Sequence, residues 1–179
     1  MKYYLRIFII FSLTIVIVGS FYVIASLAAN YSGSGFFHDN QINRCHYGTY
    51  RTENQNAAAK WSSETDIDIY YDCSKNVITT YGLDYGYTGW AGYAYICDTY
   101  GNCDLAHPNF PYASCRSRNN VHELRTWTYS ERSYVALHEL GHCWSLAHRD
   151  SDSTSVMRYG QHSIIQPNPT DIELVNARY

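Results

Sequence analysis

Charge is scarce in this chain. Asp, Glu, Lys and Arg make up 16% of its 179 residues, where about a quarter is usual. Only three lysines occur, and neither acidic nor basic residues gather into a block. A formal charge of −3 offers no basic face, so nucleic acid is not an expected partner. Low charge does not mean disorder here, because 46% of the residues are apolar. No internal repeat occurs and the length suits one domain with a real core. Among the six cysteines no pair has Cys-x-x-Cys spacing, which argues against a cysteine zinc site.

Tyrosine, by contrast, is abundant, with nineteen copies. Ile7 to Ala29 contains no charged residue, and Lys2 and Arg6 stand before it. The next basic residue is Arg44, an asymmetry that holds the start inside and sends the remainder outward. Two readings stay open for residues 1–29. Small residues at Ser26, Ala28 and Ala29 fit a cleaved signal peptide; the run is also long enough for a membrane anchor. Both place the rest of the chain on the extracellular side, with membrane contact only through residues 7–29. Beyond that segment there remain 11 basic and 16 acidic residues, a net −5. The even cysteine count agrees with export and predicts up to three disulfides, with 15 pairings open.

Residues 30–44 read as a linker, Gly/Ser-rich from Tyr31 to Phe37, and 45–179 as the functional domain. Thr52 and Gln55 make a capping-box pattern ahead of Ala57-Ala58-Ala59-Lys60-Trp61, predicting a short helix. Thr65 to Tyr71 alternates, with Ile67, Ile69 and Tyr71 on one face of a half-buried strand. Val77–Tyr81, Trp90–Cys97 and Val121–Trp127 read as further strands, and 98–120 as a long irregular loop. Thr128 and Glu131 open a helix that runs to about 144. Thr170 and Glu173 open a C-terminal helix reaching about Ala177. The expected fold is α+β: a small twisted sheet with two later helices, preceded by an apolar N-terminal helix.

The informative stretch is HELGHCWSLAH, His138 to His148. His138 and His142 are four apart, so on a helix both imidazoles lie on one face and reach one ion. Glu139 projects about 100° away from the first, where it can flank a metal without binding it. Catalytic zinc takes three protein ligands and keeps one open position. Two residues are candidates for the third, His148 and the distant Glu173. His148 has the tighter spacing, and Glu173 is accounted for as a helix-capping partner. Cys143 points away from the histidine face and suits a disulfide or the core. His38, His46, His107, His122 and His162 have no ligand spacing, and His162 is placed to line a cleft.

The pattern H-E-x-x-H-x-x-(small)-x-x-H, carried by His138, Glu139, His142 and His148 and followed by Ser155-Val156-Met157-Arg158-Tyr159, resembles the metzincin clan of zinc endopeptidases, which includes astacins, serralysins and matrixins. The resemblance covers most of residues 50–179 and is specific after Ser130. It implies a mostly parallel sheet, an active-site helix, and Met157 in a tight turn as an apolar floor beneath the metal. It implies that Tyr159 lies near the zinc and stabilises the oxyanion of a peptide substrate. Glu139 would then serve as general base towards a water whose pKa zinc lowers to about 7. One departure stands out. The family's usual glycine is Ser145 here, where a left-handed backbone costs a side chain about 1 kcal/mol. No cysteine-switch propeptide pattern precedes the domain. Other readings of the same residues are a membrane-tethered module with structural zinc only, and an amidase acting on cell-wall peptides.

Overall fold

A computed structural model describes residues 30–75, 77–104 and 109–179; the expected N-terminal helix and His107 lie outside these. The elements are β1 (Gln41–Gly48), α1 (Arg51–Glu64), β2 (Asp68–Tyr71), β3 (Ile78–Leu83), β4 (Gly92–Cys97), β5 (Cys103–Asp104), β6 (Ser114–Asn120), α2 (Val121–Leu124), α3 (Tyr129–Cys143) and α4 (Pro169–Asn176). Together they make a mixed α/β fold on one sheet of order β2-β1-β3-β6-β4-β5. The pairs β1–β2, β1–β3 and β3–β6 are parallel. β4 runs antiparallel to β6 and to the two-residue β5.

One face of the sheet is apolar where the helices cover it. Ile42, Ile78, Ile96 and Cys115 pack there against Ala57, Ala58 and Trp61 of α1 and Ala136, Leu137 and Leu140 of α3. Trp61, fully buried, donates its indole N–H to the Leu137 carbonyl at 3.0 Å and so fastens α1 to the middle of α3. The register Ile78↔Cys115 puts Cys115 opposite the helices, and a disulfide joins it to Cys143 at the end of α3. The other bridges are Cys45–Cys73 and Cys97–Cys103.

Several sequence expectations are corrected. Residues 30–44 are no linker: Phe37 and Ile42 sit in the core, and β1 begins at Gln41. Helix α1 forms as expected but without the Thr52 box; its N-cap is Tyr50, left-handed at φ 58° with no side-chain cap. In the strand at 65–71, Ile67 is buried, whereas Tyr71 is exposed at the sheet margin. The expected loop 98–120 contains β6, an inner strand. Val121–Leu124 is a helical turn capped by the Asn120 side chain. Helix α4 opens two residues earlier than expected, on an Asn168–Asp171 box with Pro169 in its first turn.

Candidate metal centre

Helix α3 starts where its sequence says it should. The Thr128 side chain accepts from the Glu131 amide, and the Glu131 carboxylate accepts from the Thr128 amide. Tyr134, Val135, Leu137 and Leu140 bury the helix, and His138 and His142 emerge one turn apart.

The end of α3 decides where the third histidine goes. Ser145 N–H donates to the His142 carbonyl at 2.9 Å, and Leu146 N–H to the Gly141 carbonyl at 3.1 Å. This double closure is a Schellman motif, which needs a left-handed residue, usually glycine. Ser145 takes that position at φ 74°. It is fully buried, and its Oγ accepts from the Tyr112 hydroxyl at 3.0 Å and the Arg178 guanidinium at 2.5 Å. The chain therefore reverses within one residue and returns His148 to the helix face.

The three rings converge. His138 Nε2 lies 3.2 Å from both His148 Nε2 and His142 Nε2, and the three ligand atoms fall within 4.8 Å of one another. Nδ1 of His138 donates to the Val156 carbonyl at 2.8 Å, and Nδ1 of His142 to the Leu146 carbonyl at 2.8 Å. With those tautomers the Nε2 lone pairs of both rings aim at one point. Lone pairs crowded together repel unless a cation lies between them. Zn–N bonds of about 2.0–2.1 Å in a tetrahedron give N···N edges of about 3.3–3.4 Å, close to the 3.2 Å of the two pairs that include His138. The donor set and its spacing fit a divalent metal with a preference for imidazole. Burial, and the neighbouring His142, hold His138 well below the ordinary imidazole range. Burial holds His142, partly open to the cleft but ringed by protein, down to about 4. Both are thus neutral, ligand-ready rings at neutral pH.

Glu139 points to the cleft beside the rings, buried, with the Ala94 backbone amide as donor. Burial pushes its carboxyl up to about 8, opposed only by that amide. Gly92 makes the room it occupies: a Cβ there would stand 2.4 Å from Glu139 Oε1. Beneath the site Met157 is fully buried, and its Sδ lies where a Cβ on Gly141 would come within 2.3 Å. Tyr159 stands on the rim, 72% exposed, its ring centroid 5.7 Å from that of His148. An open cleft of about 1060 Å³ runs over these groups, walled by residues 90–94 on one side and by Tyr31–Gly33 and Tyr159–Gln161 elsewhere.

His138, His142 and His148 are the one such group of metal-ligating side chains among the described residues. Glu173 is exposed on α4 and takes no part. His46 is turned inward on Thr80 and the Thr49 carbonyl, while His162 lies near the cleft rim against Tyr134 and the Tyr159 carbonyl. Asp171 escaped the sequence reading. Fully buried, it accepts from Arg149 at 2.8 Å, Ser155 at 2.7 Å and the Val156 amide at 2.9 Å. It thereby fixes the turn whose carbonyl orients His138.

The fold and the site define a mixed α/β domain with a three-histidine cluster at the end of one helix. Comparison with family models gives no match, and comparison with curated proteins gives none. Solved structures share the fold. A chain of the GM1-bound ECX AB5 holotoxin aligns with TM-score 0.56 and 14% identity, over 83% of this chain and 85% of that one. Myroilysin aligns in two structures, with TM-score 0.54 in each. One has 12% identity over 83% of this chain and 97% of that one; the other has 15% over 82% and 86%.

Proposed function

We propose that the protein is an extracytoplasmic zinc-dependent endopeptidase of the metzincin type. The observation that carries the reading is the convergence of His138, His142 and His148 on one point beside a buried carboxylate in an open cleft. A structural zinc would have its fourth position closed by protein, and an open cleft argues for a reacting molecule there instead. Three imidazoles would hold zinc, which supplies Lewis acidity for a carbonyl oxygen and lowers the pKa of water.

The chain's own groups complete the chemistry. Glu139, raised by burial, is a strong enough base to accept a proton near neutrality, and it can return that proton to a leaving amine. The Ala94 amide favours the charged carboxylate that this role requires. Tyr159, on the rim beside His148, is the group proposed to donate to the oxyanion. The Val156 and Leu146 carbonyls hold two ligand rings in the tautomer that a metal requires.

Extended peptide suits the cleft better than other amides. β5 pairs only with Ile96 and Cys97, so from Gly92 to Tyr95 the outer edge of β4 has no strand partner among the described residues. That edge lines the cleft and can take up a substrate strand by backbone hydrogen bonds. Three disulfides support an extracellular location. The test is metal analysis of wild type and His148→Ala, with hydrolysis of an unfolded protein substrate measured beside it. One zinc per chain, weakened by the substitution, together with cleavage, is the expected result. Zinc without cleavage of protein or peptide, or lysis of cell wall in place of proteolysis, would replace this reading.

A further inference from the structure

Ser145 occupies a position that favours glycine, and the surrounding residues compensate for it. Its Oγ is held by the guanidinium of Arg178, the penultimate residue of the sequence. The same guanidinium donates to the carbonyls of Gly33 and Gly35, each at 2.7 Å, and lies 3.6 Å over the centroid of the Tyr31 ring. Tyr31 in turn donates its hydroxyl to the Leu174 carbonyl on α4 at 2.7 Å. The strap so captured, residues 30–35, lies antiparallel to the chain between Ser145 and His148. Ser32 N–H donates to the Ser145 carbonyl, and Ala147 N–H to the Asn30 carbonyl, both at 2.9 Å, with Tyr31 bridged to Leu146 between them.

We propose that Arg178 and the strap it clamps are a positioning device for the third metal ligand, holding the turn at Ser145 in the form that a glycine would otherwise supply. The inference rests on the metal-site reading above and adds to it the source of His148's placement. A planar guanidinium is suited to the task, since one group reaches three oxygens and a ring face. Residues far apart in the sequence, 30–35 and Arg178, thus meet at the bend beside the site. The strap also forms part of the cleft wall, so its seating affects both metal retention and the shape of the cleft.

The experiment uses the full chain with its disulfides formed, and measures zinc affinity by competition with a chromophoric chelator. Arg178→Met weakens zinc by about 10–100-fold, the range found for groups that orient metal ligands. In a Ser145→Gly background the same substitution costs a small fraction of that, because the turn then holds itself. Amide exchange of the metal-free Arg178→Met protein rises at Ser32 and Ala147 and stays slow through α3. Tyr31→Leu, which removes the ring under the guanidinium and leaves Arg178 in place, moves affinity in the same direction and decides the matter if Arg178→Met unfolds. Wild-type affinity in both Arg178→Met and Tyr31→Leu, with His148→Ala weakened, overturns this inference and leaves the metal site standing. An equal loss with serine or glycine at 145 also overturns it. Unchanged affinity in His148→Ala overturns the metal-site reading itself.

Discussion

Glu139 shows how much one side chain's surroundings decide. It has left water, its one backbone donor is Ala94, and its carboxyl is pushed up to about 8 from 4.5. As the proposed base, it is replaceable in shape but not in proton affinity. Glu139→Gln therefore keeps zinc by metal analysis and lowers kcat/KM by at least about 10²–10⁴-fold. The same shift makes a stability prediction with a definite sign. Between pH 4.5 and about 8 the folded carboxyl holds a proton that the unfolded chain gives up, so unfolding releases a proton and stability falls as pH rises. His142 acts oppositely: its pKa is lowered from 6.5 to about 4, and its contribution, full above 6.5, is lost as pH falls towards 4. Above pH 6.5 only the Glu139 contribution of the two still changes. The Tm of the chelator-treated protein should fall from pH 6.5 to 8, and the fall should shrink in Glu139→Gln; parallel melting curves would refute the buried-carboxyl account. Gly92→Ala displaces the same carboxylate without replacing it, since the added Cβ would meet Glu139 Oε1 at 2.4 Å and Val135 Cγ1 at 2.6 Å. Loss of hydrolysis with zinc retained is the expected outcome, read by peptide assay and metal content.

At the scale of elements, α4 reaches the site through its first turn. Asp171 joins its cap to Ser155, Val156 and Arg149. Arg149 follows His148 directly, so one buried carboxylate ties three segments together. Asp171→Ala leaves the Arg149 guanidinium, 11% exposed, with Asp152 as its remaining carboxylate partner and takes the acceptor from the Ser155 hydroxyl and the Val156 amide; each buried donor so stranded costs about 1–3 kcal/mol. Urea unfolding of the metal-free protein should show that loss, and an unchanged midpoint would mean the network carries no weight. None of this could be read from the sequence, because Asp171 is 16 residues from Ser155 and 22 from Arg149. The ligand-bearing helix was legible because its signals are local: a capping box, an apolar stripe and two histidines one turn apart. β6 was not. Its sequence SCRSRNN carries no apolar alternation, yet Cys115, Ser117 and Asn119 are buried. Its inward positions are filled by a disulfide and small polar groups, so periodicity of hydrophobic residues had nothing to register. β1 was hidden similarly, since Arg44 and His46 are buried on the same face as Ile42. Asn120 then caps α2 directly after β6, which turned an expected strand into a helical turn.

For the whole molecule, the three disulfides form one pattern of closure. Among the described residues no helix is long and apolar enough to cross a membrane, and residues 7–29, where an anchor or signal was expected, are not among them. The bridges differ in what they enclose. Cys115–Cys143 and Cys45–Cys73 each span 28 positions, and Cys97–Cys103 spans 6. Loop-closure entropy alone makes a long bridge worth about 1 kcal/mol more than the short one. Cys115–Cys143 has a second role, because it ties inner strand β6 to the residue after His142, with both half-cystines fully buried. Opening it frees the end of α3 where the chain reverses through Ser145 to His148. The pair Cys115→Ala with Cys143→Ala is thus expected to cost about 2–5 kcal/mol and to weaken zinc binding as well. The pair Cys97→Ala with Cys103→Ala, at the sheet end carrying β5, is expected to cost less and to leave zinc affinity near wild type. Guanidinium unfolding and chelator competition on both variants separate the two effects. Equal zinc affinity in both would show that the bend keeps its shape without the bridge, leaving the Schellman turn and its strap to place His148 alone.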